Sequence, residues 1–434
     1  MSPLARAALA LAALAIVPAV STAQDTTRGV RIGLEYQGSG QPGVIVLPVA
    51  GPQGDSIRAI VQRDLENGDR VALIPVSSDP RDAEAFGGRA GRPLNYALLA
   101  RLGAAAVVQA TPVGPSLHVT VHDVRRQQVL AVEDFPLGDG AYGREWRFAL
   151  HGVSDQVEQW LTGTRGIAQT RIAFVRGGSL MVVDADGAGE VAVTTIGAPL
   201  SPTWHPRGEA IAYNTYGVES RVVVHDLATG RNRTVSTTHS GVNQTPAFSP
   251  DGGTIAYAHT PGDGGDIYLV PADGGGARRI TVGRGTLNLS PTWSPDGRRL
   301  AYTSSRSGHP EVYIMDADGT NAELLTPFVF GEQSYQSNPD WSPDGRLVAY
   351  QSQVAGQFQL KTIGLRDRGT RTLTNVGRNE DPSWAADGRH LVFTSTRSGT
   401  RQLWVLDVET GRTRQLTRGG GRAAAWSRRL DGAR

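Results

Sequence analysis

Cysteine is absent from the 434 residues, which excludes disulfides, a cysteine-linked lipid anchor and any thiolate metal site. Lysine is nearly absent: Lys361 is the only one among 43 basic residues, and 41 acidic residues bring the net charge to +2. The two signs are interspersed, so no basic stretch draws the chain to nucleic acid or a membrane surface, and the arginine bias reads as a base-composition habit. No apolar run reaches the ~20 residues that cross a bilayer. The mostly apolar stretch from Ala7 to Val20 follows Arg6 and ends at Ser21-Thr22-Ala23. Small residues at Ser21 and Ala23 flank a cleavage point, so residues 1–23 are expected to be a removed export signal rather than an anchor, which sends the chain to a periplasm. A Gly-x-Ser-x-Gly elbow is also missing, and with it the nucleophile of an α/β-hydrolase.

What is present is a repeat. Pro-x-aromatic phrases end at Trp204, Phe248, Trp293, Trp341 and Trp384, with Ala-Ala-Trp426 as a last variant, at spacings of 44, 45, 48, 43 and 42 residues. That is the period of a four-stranded propeller blade. One full copy runs through Ser290-Pro291-Thr292-Trp293, the turn Ser294-Pro295-Asp296-Gly297, Leu300-Ala301-Tyr302, Glu311 to Asp316, and Leu324-Leu325-Thr326. Proline fixes φ and glycine tolerates positive φ in the turns, so each unit predicts an antiparallel meander. The array's ends are complementary: Ile172-Ala173-Phe174 onward supplies strands two to four, and Ala425-Trp426-Ser427 supplies a lone first strand. Joined, they close a ring of six blades and hide its sheet edges.

Residues 44–165 alternate helix and strand signals. Val44 to Leu47 reads as a buried strand, Asp55-Ser56 as the cap of a helix ended by Gly68, and Val71 to Val76 as a second strand. A helix over Pro93–Leu102, strands over Ala105–Thr111, Leu117–Val124 and Gln128–Val132, and a helix over Glu145–Leu161 complete a small α/β domain. Residues 24–43 are polar and glycine-rich, the composition of a mobile arm. The propeller takes 166–434.

This whole layout resembles the TolB family, the periplasmic propellers of the Tol-Pal envelope system. The likeness rests on the export signal, the α/β domain, Trp160-Leu161-Thr162-Gly163 leading to Thr170-Arg171-Ile172-Ala173-Phe174, the Trp-Ser-Pro-Asp-Gly blades and the Ala-Trp-Ser closure. The resemblance implies a monomeric, non-enzymatic adaptor without metal or cofactor, acting in outer-membrane integrity and invagination at division. It implies that a Pal-like peptidoglycan-associated lipoprotein binds loops leading into the first strands: Val242, Asn243, Gln244 and Thr245; Leu289 and Ser290; Ser337 and Asn338; Asn379, Glu380 and Asp381. Familiar members carry a His or an acidic side chain at some of these sites, so the face transfers rather than any single contact. A TolA-like inner-membrane protein would engage the arm through Asp25, Thr26, Thr27, Arg28, Gly29, Val30, Arg31, Ile32, Gly33, Leu34 and Glu35.

Other chemistry is weighed on the residues. Asp184-Ala185-Asp186-Gly187 and Asp316-Ala317-Asp318-Gly319 imitate the start of a calcium loop but lack its Glu at position twelve, and turn formation explains them. His118 and His122 fall on one face of a strand ~13 Å apart, too far to share an ion, and are expected on its solvent side. The periodic tryptophans are expected to pack blades rather than bind sugar. Arg306 and Arg397, each before Ser-Gly, are expected as turn residues that could also reach a partner. The rival functional reading is a periplasmic enzyme or small-ligand sensor using the channel mouth, which requires convergent carboxylates or histidines at equivalent blade positions.

Overall fold

The computed structural model describes residues 40–77, 84–87, 93–138, 143–217, 219–236, 241–283, 285–327 and 335–430. The export signal and arm residues 25–35 lie outside the described residues.

The N-terminal domain is a five-stranded sheet in the order β2-β1-β3-β4-β5, with β1 Gly43–Val46, β2 Ala72–Leu73, β3 Ala106–Val113, β4 Ser116–Asp123 and β5 Gln128–Pro136. Strand β1 pairs in parallel with β2 and β3, while β3, β4 and β5 form an antiparallel meander. Two long helices, α1 (Gly54–Asn67) and α3 (Arg144–Thr162), cover one face. Their Ile57, Val61, Leu65, Leu150, Val153 and Val157 meet Val44, Val46, Val108 and Val119 of the sheet. The shorter α2 (Tyr96–Arg101) places Leu99 against Ile45 and Val107 on the opposite face.

Three boundaries differ from expectation for local reasons. Helix α1 starts before Asp55, because Gly54 N–H closes a turn onto the Gly51 carbonyl and Gln53 gives no side-chain cap. Only glycine fits at 54, where a Cβ would sit 2.0 Å from the Val49 carbonyl oxygen. Helix α2 starts three residues late because Asn95 caps it, its Oδ1 accepting from Leu98 N–H at 3.1 Å. Strand β2 is confined to Ala72–Leu73 at the sheet edge, its last bond to β1 running from Ile74 N–H to the Val44 carbonyl at 2.9 Å just before Pro75.

The remaining strands build six four-stranded antiparallel sheets. Blades two to six begin with Leu200–Trp204, Val242–Phe248, Asn288–Trp293, Gln336–Trp341 and Asn379–Trp384. The remaining sheet, blade one, joins both ends: Arg422–Trp426 pairs with Arg171–Arg176, Trp426 opposite Ile172, and Ser179–Asp184 and Val191–Thr194 follow outward. We call it the closing blade.

The repeat phrases act through identifiable bonds. In the Ser-Pro-Asp-Gly turn Ser294 Oγ donates to Asp296 Oδ1 at 2.6 Å and accepts from Arg299 N–H at 2.9 Å, while Gly297 adopts φ 71°. The same pattern recurs at Ser249–Asp251 and Ser342–Asp344. Each second strand buries one large ring, Phe174, Tyr213, Tyr257, Tyr302, Tyr350 or Phe393, at 1% exposure or less. A hydroxyl just past strand four pins it to strand three: Thr281, Thr326, Thr374 and Thr417 Oγ1 accept from Ile267, Val312, Leu360 and Leu403 N–H at 2.9–3.1 Å. The fourth strands are only two to four residues long, so this side-chain bond supplements a short ladder.

Candidate partner-binding face

The α/β domain docks on the face made by the turns between strands one and two and between strands three and four. Its residues Asp69 and Arg70 meet Asp387, Arg389, His390 and Arg412 of blade six. Helices α1 and α3 meet Asp186 of the closing blade through Arg63 and Arg147. The opposite face, formed by loops entering the first strands and by turns between strands two and three, carries nothing among the described residues.

That open face surrounds a channel whose rim is backbone-strained in a regular way. Ser201, Thr245, Ser290, Asn338, Asp381 and Ala423, one per blade, hold φ between 46° and 53°. The first five precede proline. At each, the pairing between strands one and two shifts register, the mark of a bulge. The left-handed turn kinks the strand into the channel, and its sixfold recurrence makes it a property of the ring. Side chains bond across blades here: Ser290 Oγ to Asn338 Oδ1 at 2.9 Å and Asn338 Nδ2 to Asp381 Oδ1 at 2.7 Å. Together they rim a cavity of about 170 Å³.

The residues expected to meet a partner separate into two groups. Asn243 and Asn379 are buried and tie strand one both to strand two of its own blade and to the preceding blade. Asn243 Nδ2 donates to the Ser220 carbonyl at 2.8 Å, and its Oδ1 meets His259 Nδ1. Asn379 accepts from Ser395 Oγ and donates to Gln359 Oε1, both at 2.7 Å. Ser337 is buried too, beside Gln351. Val242 is exposed, whereas Gln244, Thr245, Leu289, Ser290, Asn338, Glu380 and Asp381 are half-buried around the rim. Glu380 accepts from Arg378 Nη2 at 2.6 Å, and burial beside Glu380 pushes the Asp381 carboxyl above the usual range.

Sequence reading missed the apolar part of this face. Among the described residues of the propeller, nine large apolar side chains are exposed, and eight lie here: Ile196, Tyr216, Val242, Val282, Leu287, Tyr335, Val354 and Val376. Only Val191 is elsewhere. Their signal was available, since they are apolar residues placed between strands or, like Val242 and Val354, at a strand's outermost residue, where packing does not require them. Arg306 and Arg397, in contrast, fold back on their own blades. Arg306 donates to Tyr302 Oη at 2.7 Å and lies over the Tyr313 ring, and Arg397 stacks on Phe393 and Trp404.

The other channel mouth, on the domain side, opens to about 440 Å³ among Trp204, Phe248, Trp293, Trp341, Trp384 and Trp426. These rings pack blades together: Trp204, Trp293 and Trp384 Nε1 donate at 3.0–3.1 Å to carbonyls of the preceding first strand. Asp340 lies at the waist, accepting from Trp384 N–H at 2.7 Å and Thr292 Oγ1 at 3.2 Å, and burial pushes it up to about 6. Two His–Asp groupings at the domain junction, Asp64–His151–Asp186 and Asp69–His390–Asp407, have metal-ligand side chains within reach of one another. Guanidinium groups already occupy Asp186, Asp69 and Asp407, so these are ion-pair networks by composition. His118 is half-exposed against Asp134, but His122 is buried against the Tyr96 hydroxyl at 3.0 Å, which corrects the expectation that both face solvent. Helix α2 covers that end of the strand.

A ring of six sheets with an α/β domain on one face and an apolar-rimmed channel mouth on the other defines a propeller scaffold that presents loops. The family model described as the TolB beta propeller domain matches residues 158–430, more than half of the chain, and the chain belongs to that family. It is 30% identical over 259 residues to the Tol-Pal system protein TolB of Gluconobacter oxydans, covering 56% of this chain and 54% of that one. It is 31% identical over 236 residues to the protein of the same name from Haemophilus influenzae strain PittGG, covering 51% and 54%. The matched stretch thus spans about half the length of these relatives. The crystal structure of TolB from Acinetobacter baumannii superposes with a TM-score of 0.75 at 23% identity, over 90% of this chain and 97% of that one, a likeness of fold.

Proposed function

We propose that the chain is a Tol-Pal system protein of the bacterial periplasm, a non-enzymatic adaptor that holds a Pal-like lipoprotein on the open face and a TolA-like protein through residues 25–35. The observation that carries the reading is the concentration of exposed apolar side chains on the face the α/β domain leaves free. Apolar side chains around a half-buried polar rim are the composition of a protein interface. The channel supports an adaptor over an enzyme: the equivalent waist positions Thr203, Ala247, Thr292, Asp340, Ser383 and Ala425 supply one carboxylate, already hydrogen-bonded, and no histidine. Among the described residues no helix is long and apolar enough to cross a membrane.

The test is titration of the chain with the OmpA-like domain of a Pal-like lipoprotein from the same organism. Val282→Asp with Tyr216→Ala is expected to weaken binding at least about tenfold without unfolding the ring. Unchanged affinity would reject the face. Deleting residues 24–38 is expected to abolish TolA-type binding and leave the propeller folded, and retained binding would reject the arm's role.

A further inference from the structure

The ring is closed without a covalent bond at one place, the pairing of Arg422–Trp426 with Arg171–Arg176. The α/β domain holds both sides of that seam. On one side it is continuous with Arg171 through residues 163–170. There it also grips the closing blade, where Asp186 Oδ2 accepts from Arg147 Nη2 at 2.7 Å and Arg63 Nη2 at 2.9 Å. On the other side lies blade six, which leads directly into the C-terminal strand, and here the contact is a socket around one residue. Asp69, at φ 55° just past the end of α1, accepts from Arg412 Nη1 at 2.7 Å, and its carbonyl accepts from Arg389 Nη2 at 2.7 Å. Its second carboxylate oxygen lies 3.4 Å from His390 Nε2, whose Nδ1 is 2.8 Å from Asp387. Arg70 reaches Asp387 at 3.1 Å. The C-terminal tail completes the junction: Arg429 donates to the Gly166 and Arg165 carbonyls, and Trp426 Nε1 donates to Thr170 Oγ1 at 2.7 Å.

We propose that the α/β domain is a clasp on the ring closure, so that releasing its socket on blade six loosens the seam of the closing blade while leaving distant blades intact. Parting the two seam strands moves blade six away from the chain segment that carries the domain. The Asp69 socket resists that displacement because its partners, Arg389, His390 and Arg412, all belong to blade six. The device couples domain docking to ring closure through charges aligned across one junction.

Hydrogen exchange of the full-length chain tests this. Asp69→Asn combined with Arg70→Ala is expected to undock the domain, seen by small-angle scattering. Exchange in 171–176 and 422–426 should then rise at least about tenfold while 299–304 and 311–316 of blade four stay unchanged. An undocked domain with unchanged seam exchange would overturn the clasp, as would a domain that stays docked or an equal rise in blade four. Should the double variant fail to fold, Asp69→Asn alone, which keeps the carbonyl contact to Arg389, is read by the same criteria.

Discussion

The two faces of the disc have opposite chemistry. On the domain side, charges are buried and matched: Asp387 is held well below the carboxylate range although burial opposes it, because His390 hydrogen-bonds to it. Burial also works against His390, yet Asp387 and Asp69 raise it to about 9. On the open side, large apolar side chains are exposed and the polar groups of the rim bond within the ring. A buried ionic contact specifies one geometry and tolerates little loss, whereas the exposed apolar side chains of the open rim contribute little to holding the ring together. The difference teaches that this fold keeps its buried ionic contacts and its exposed apolar side chains on opposite faces of one ring.

The sharpest way to break the comparison is Asp387→Ala. It strips the buried His390 and Arg70 of a shared partner and is expected to cost about 3–5 kcal/mol in urea unfolding. A loss under about 1 kcal/mol would mean that the junction behaves as surface.

Next comes pH. Burial raises Asp155 to about 7 against the N–H bonds it accepts from Gln169 and Ala168, and burial with the Asp155 charge raises Glu158 to about 8. Glu158 therefore meets Arg70 at 3.2 Å largely as a neutral carboxyl at pH 7. Like His390, both have folded values above their unfolded ones. Each contributes stability fully present below the unfolded value and lost as pH rises through the folded value. Stability is expected to fall by at least about 2 kcal/mol between about pH 6 and pH 9.5, followed by denaturant midpoint; a rise over that range would contradict the assignment.

On the open face the expected effects are on binding. Tyr216→Ala is expected to move stability by less than about 0.5 kcal/mol while weakening partner affinity, a split that no residue of the junction should show. The smallest effect is at the rim. Ala423→Gly relieves a left-handed alanine at φ 52° and is expected to raise stability by about 0.5–1 kcal/mol, measured by thermal unfolding.

The blades were legible because their turn chemistry and buried rings are local and repeat, down to the two-ended closing blade. The rim was not, since a residue before proline ordinarily reads as extended, and only the register shift against strand two reveals the left-handed turn. The junction was invisible for another reason: Asp69 and His390 are 321 residues apart, and neither stands in a motif. Asn243 and Asn379 illustrate a third limit, as a side chain next to a loop can be spent on joining its own blade to the preceding one.

The closing blade also orders events in time. Trp426 and Thr170, bonded at the seam, are 256 residues apart, and closing so long a stretch of chain is entropically costly and slow, so three strands of the closing blade wait with an open edge until the other five sheets bring Arg422–Trp426 to them. A change that weakens this one pairing would therefore slow the completion of the ring more than an equal change between strands of a single blade, whose partners are neighbours in sequence.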